Sequence, residues 1–157
     1  MSENLATPGT IAALATPPGA GGLAVIRISG PQAEPILRAL FTPAGGEERF
    51  EERRFLYGRL THEGKDLDEC MAVLMRAPRS YTREDVAEIQ VHGGEQVVRA
   101  VLKAVYALGA RPAGAGEFTR RAFENGRLDL SQAEAVMQLV SASGQQAADA
   151  ALRQLQG

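Results

Sequence analysis

The stretch DVAEIQVHGG at 85–94, running straight into EQVVRAVLKAVYAL at 95–108, decides the fold class. From Asp85 to Val91 the side chains alternate, with Val86, Glu88 and Gln90 on one side and Ala87, Ile89 and Val91 on the other, which is the two-residue period of a strand. Beyond Gly94 the period changes. Val98, Val101, Leu102, Val105 and Leu108 recur every three or four positions, and Gly109 marks a stop, which is the signature of an amphipathic helix. A strand feeding an amphipathic helix belongs to an α/β domain.

Working outward, alternating or β-branched runs at 11–16, 23–29, 55–60 and 69–76 read as further strands, giving five in all. The first two are separated by Pro17, Pro18, Gly19, Ala20, Gly21 and Gly22. Backbone N–H groups of such a turn can cradle an anion, but no Lys-Ser or Lys-Thr follows, so it is no P-loop and reads as a structural hairpin turn. A helix is expected over 31–40, with Ser29 or Gly30 at its cap, Pro31 in its first turn and Pro35 awkwardly late. Residues 42–54 mix both charge signs and read as a solvated loop, and residues 62–66 as a turn. A second helix is expected over 117–124, stopped by Asn125 and Gly126. The last should start at Ser131, where Ser131 and Glu134 have the spacing of a capping box. From there Ala133, Met137, Val140, Gly144, Ala147, Ala151 and Leu155 form a stripe that calls for a partner helix. The expectation is therefore an α/β domain of the α+β type, a mixed five-stranded sheet with helices on one side, and a chain cut inside a second, helical domain.

The 157 residues are 45% hydrophobic and 23% charged, enough for a core without disulfides. With 17 Lys plus Arg against 19 Asp plus Glu, the chain has no basic excess for bulk phosphate binding, so any RNA contact must be local. No apolar run approaches the roughly 20 residues of a membrane span, and the opening lacks a cationic leader, so a cytoplasmic location is expected. Cys70 is the single cysteine; with only His62 and His92 beside it, the usual four-ligand zinc site is excluded. Cys70 itself reads as a small core residue, and His92 as a strand-end histidine held by backbone.

In the strand at 23–29, Leu23, Val25, Arg27 and Ser29 share one face, and Ala24, Ile26 and Ile28 the other. Arg27 thus stands on the less apolar face of its strand, and Glu88 on a polar face of its own. They form either a mutual ion pair or a ligand site that needs both signs. No complete catalytic set is visible.

Several motifs in order carry a resemblance. They are Thr16 to Gly22, then Val25-Ile26-Arg27-Ile28-Ser29-Gly30, then Tyr81-Thr82-Arg83-Glu84-Asp85-Val86 with Glu88 and His92-Gly93-Gly94. Gly116-Glu117-Phe118-Thr119-Arg120-Arg121-Ala122-Phe123 and Asn125-Gly126-Arg127-Leu128-Asp129-Leu130 with Gln132-Ala133-Glu134-Ala135 complete it. Together they resemble the MnmE (TrmE) family of tRNA modification GTPases over nearly the whole chain. The resemblance implies a folate-binding domain like that of the glycine cleavage T-protein, over 1–120, and the beginning of a helical domain over 121–157. The family's GTPase domain, with its GTP, Mg and K, lies further along and is expected to be absent here. It also implies homodimerisation and, for the longer protein, work with the flavoprotein MnmG on the wobble uridine of tRNA. The implied one-carbon donor is 5-formyltetrahydrofolate or another tetrahydrofolate derivative. The implied folate contacts are Arg27, Glu88 and Arg127, the last standing where the family usually has Lys. Ala20 and the Gly114-Ala115 pair also depart from the family's pattern. A pterin presents adjacent donors that a carboxylate accepts in pairs, which suits Glu88, while the anionic glutamate tail needs cations. Which arginine meets which group is left open.

Overall fold

The computed structural model describes residues 9–16, 22–92 and 94–141. Most of the Pro17–Gly22 turn, Gly93, and the helical stripe from Gly144 onward lie outside them.

Strands β1 (Ile11–Leu14), β2 (Leu23–Ser29), β3 (Phe41–Pro43), β4 (Leu56–His62), β5 (Lys65–Met75), β6 (Val86–His92) and β7 (Arg111–Pro112) form one sheet in the order β3-β4-β5-β6-β2-β1-β7. All neighbours are antiparallel except β1 and β7, which are parallel. The sheet is mixed, as expected, but has seven strands rather than five. The two additional strands, β3 and β7, are only three and two residues long and each ends in proline, so neither carries a readable period. The β4–β5 hairpin is also longer than the sequence suggests. Glu63 and Gly64, with φ of 52° and 80°, close it in two residues, which is the primed turn that matches strand twist.

Among the described residues four helices accompany the sheet: α1 (Ala33–Leu40), α2 (Glu95–Ala107), α3 (Glu117–Glu124) and α4, helical from 130 to 141. Helix α1 begins two residues later than expected. Pro35 thereby falls in its first turn, where the missing N–H would have had no intrahelical acceptor. Helix α4 is capped by Asp129 rather than Ser131: the Asp129 carboxylate accepts the Gln132 N–H at 2.8 Å, and the Gln132 side chain accepts the Asp129 N–H at 2.9 Å. That reciprocal box places a carboxylate at the positive helix end, which a serine does not offer.

Ile26, Ile28, Ala87, Ile89 and Val91 face α1 and α2 and make the core with Ile36, Leu37, Leu40, Val101 and Val105. Cys70 lies within it, and burial pushes its thiol up to about 12. Helix α3 instead meets the opposite face, where Arg27 and Ser29 point, so helices are not confined to one side.

At the β2–α1 junction Gly30 has φ of 135°, and a Cβ there would sit 2.6 Å from the Thr10 Cα. Both the backbone conformation and the close approach exclude a side chain. Gly30→Ala is expected to destabilise the domain by about 1–2 kcal/mol, read as an earlier denaturation midpoint. An unchanged midpoint would contradict this assignment.

Candidate functional site

Register places Arg27 directly opposite Glu88 on β2 and β6, and their side chains meet, with Arg27 Nε donating to Glu88 Oε2 at 2.8 Å. Both remain partly open, at 26% and 20% side-chain exposure, so the pair is not sealed in the core. Two rings flank the Arg27 guanidinium: its Cζ lies 5.7 Å from the Tyr81 ring centre and 5.5 Å from that of Phe118. On the same Tyr81 ring sits the Arg127 guanidinium, at 5.1 Å. Arg27 and Arg127 therefore share one tyrosine ring, and Glu88 joins them through its hydrogen bond with Arg27.

Local chain geometry explains how Arg127 gets there. Helix α3 ends with Gly126 in the left-handed region at φ 82°; the Gly126 N–H bonds to the Phe123 carbonyl at 3.0 Å and the Arg127 N–H to that of Ala122 at 2.8 Å. This Schellman ending fixes the residue after the glycine. Asn125 adds a tie by donating its side-chain N–H to the Thr82 carbonyl at 2.7 Å.

Tyr81 is held by a 3.0 Å bond between its hydroxyl and that of Thr119 on α3. Behind it lies a buried polar cluster. Ser29 donates to Glu84 at 2.7 Å and shares a 2.7 Å hydrogen bond with Thr82. The fully buried Arg121 donates to Glu84 at 3.0 Å, and its Nη2 lies 3.6 Å from Glu117. Glu117 in turn accepts from Arg111 at 3.0 Å and from the Gly114 N–H at 2.8 Å.

The family described as GTP-binding protein TrmE N-terminus matches residues 10–127. The chain belongs to that family. Among relatives of the TrmE domain, it is similar to tRNA modification GTPase MnmE of Syntrophotalea carbinolica, with 52% identity over 149 residues covering 94% of this chain and 33% of that protein. It is likewise similar to the MnmE proteins of Geobacter metallireducens, at 53% over 150 residues, and Synechococcus sp. strain JA-2-3B'a(2-13), at 54% over 151 residues, each again covering 94% of this chain and 33% of the relative. The chain spans about a third of the length of the curated relatives it matches.

Two rings of the TrmE domain's site, Tyr81 and Phe118, carried no assigned role in the sequence reading. Their signal was an aromatic in an otherwise polar segment, each inside a motif that supported the resemblance. His92 also differs from expectation: the Asp68 carboxylate of the neighbouring strand, rather than backbone, holds its ring Nδ1 at 3.0 Å. Among the described residues no three His, Cys, Asp or Glu side chains gather to hold a metal ion, and no helix is long and apolar enough to cross a membrane.

The Arg111 hydrogen bonds hold the Glu117 carboxyl well below its ordinary 4.5, at about 2, with Gly114 and Arg121 adding to the effect against the opposing pull of burial. A depressed carboxyl pKa stabilises the fold fully above the unfolded value and is lost as pH falls towards the folded one. Acidification from 4.5 to about 2 should therefore remove about 2 kcal/mol. Melting curves across that interval should flatten in Glu117→Gln; an equally steep dependence in the variant would assign the loss elsewhere.

Proposed function

We propose that this domain binds a reduced folate, a formyl- or methylene-tetrahydrofolate, over Arg27, Glu88 and Arg127, and pairs two copies of the chain. In this reading residues 1–120 form the folate-binding and dimerisation part and residues 121–157 begin a helical domain. The longer protein would be a cytoplasmic GTP hydrolase that acts with MnmG on the wobble uridine of tRNA.

The observation that carries the folate reading is the spare capacity of the Arg27–Glu88 pair. Only Arg27 Nε and Glu88 Oε2 are hydrogen-bonded to each other. Glu88 Oε1 and the two Arg27 Nη groups have no hydrogen-bonding partner among the described residues, in side chains that are 20% and 26% exposed, and the Arg27 guanidinium lies against two rings. A carboxylate in this setting can accept paired N–H donors of a pterin while Tyr81 and Phe118 cover apolar ring surface. The donor set thus fits the ligand. When bound, the folate supplies the one-carbon unit; the residues of this chain bind and orient it and shield it from water.

Pairing of two copies is supported by the same sheet face. Leu23, Met71 and Tyr57 follow Arg27 and Glu88 through the strand register and are 54%, 38% and 53% exposed. A two-fold contact there would bury at least about 1,000 Å² in total. Sedimentation should show a concentration-dependent dimer that Leu23→Glu dissociates; a monomer at all concentrations removes this half of the proposal.

A second reading, a dimerisation scaffold without ligand, is favoured by the 2.8 Å Arg27–Glu88 contact itself. Calorimetric titration with 5-formyltetrahydrofolate separates the two. Saturable binding supports the first, and a folded dimer that binds nothing supports the second.

A further inference from the structure

Tyr81 also lines a hollow of about 440 Å³ whose wall includes Arg53, Arg79, Arg83 and Arg127. Its size falls in the roughly 300–1,000 Å³ of small-molecule sites. Among the described residues none of these four arginines meets a carboxylate, whereas Arg38, Arg76, Arg99, Arg111 and Arg121 each do. Four unneutralised guanidinium groups around one hollow repel one another and await an anion.

The backbone around the hollow points the same way. Arg53 and Arg83 have φ of 61° and 63° and, with the turn residue Glu63, are the non-glycine residues of positive φ among those described. Side-chain-bearing residues adopt that conformation only at a cost, which neighbouring structure must enforce. Here Arg53 donates from Nη1 to the Arg79 carbonyl at 2.7 Å and from its backbone to Leu74 at 2.9 Å. Arg83 donates from Nη1 to the Asn125 carbonyl at 3.2 Å.

We infer that this hollow takes the oligo-γ-glutamate tail of a folate whose ring system lies over Arg27 and Glu88. The inference rests on the folate reading above. Tyr81 and Arg127 line the hollow and also stand against the Arg27 site, so one ligand with an aromatic head and a polyanionic tail spans both. Each added γ-linked glutamate brings one carboxylate, and arginine forks match carboxylates with two parallel hydrogen bonds. An RNA phosphate is the weaker fit, since a chain of net charge -2 lacks the surrounding basic field that phosphate docking uses.

The test is calorimetric titration of the full chain with 5-formyltetrahydrofolate as the monoglutamate and as the pentaglutamate, read as the ratio of the two Kd values. The pentaglutamate should bind about tenfold tighter, equivalent to ~1.4 kcal/mol. That ratio should fall towards one in the Arg79→Gln/Arg83→Gln pair and in high salt, and return in the Arg79→Lys/Arg83→Lys pair. Equal affinities in the parent protein overturn the inference while leaving the folate reading intact, and failure of both ligands to bind overturns both. If the Gln pair instead loses tRNA binding with the folate ratio unchanged, the hollow is an RNA contact and the inference falls.

Discussion

Replacing Arg121 by methionine should destabilise the domain by about 3–5 kcal/mol, and at roughly 2–4 °C per kcal/mol for a chain of this size should lower Tm by about 10 °C. The guanidinium is fully buried and is the common partner of Glu84 and Glu117. Glu117 would keep Arg111, but the Glu84 carboxylate would keep only the Ser29 hydroxyl as a hydrogen-bonding partner among the described residues. A carboxylate left in a half-buried setting without its cation bears the desolvation penalty alone. The double variant with Glu84→Gln should accordingly recover part of the loss. Thermal and urea melts on the three variants check this, and an Arg121→Met protein that melts with the parent would show that the cluster contributes nothing net. Because α3 carries Phe118 and its closing turn leads into Arg127, an Arg121 variant that still folds should also bind folate more weakly.

The second large effect is on binding. Glu88→Gln should weaken 5-formyltetrahydrofolate binding by roughly ten- to a hundredfold, on the order of 1–3 kcal/mol, because an amide turns a donor towards at least one ligand donor that the carboxylate would accept. Arg127→Ala should also weaken binding, since its side chain is exposed and its position is set by backbone hydrogen bonds that survive truncation. Melting temperature decides between the two readings of Glu88. Lost affinity at an unchanged Tm marks a ligand site. A lowered Tm with unchanged affinity, partly restored by a further change at Arg27, marks a structural pair.

The central strands and α2 were legible because each buries one face and leaves the other open, which writes a period into the sequence. Ile26 and Ile28 against Arg27, and Ile89 against Glu88, are cases in point. Edge strands β3 and β7 are too short to write one. The starts of α1 and α4 were displaced because adjacent residues compete for the same cap, and only three-dimensional packing chooses between them; Pro35 and Asp129 show the choice. Within the site, Arg27 and Glu88 stood out as charges on strand faces, whereas Arg127 came from the family motif. Tyr81 and the hollow beside it depend on the 76–85 segment meeting α3 and Arg53, contacts between stretches far apart in the chain.

The prolines at the ends of β3 and β7 bear on assembly. Pro43 and Pro112 stand on the two outermost strands of the described sheet, and neither can donate an N–H to a further strand. Short, proline-ended borders discourage two sheets from being stitched rim to rim into a continuous ribbon. For the pairing proposed above, stacking is then the geometry left open, in which a second molecule would lie across the sheet with its own Arg27 face towards the first.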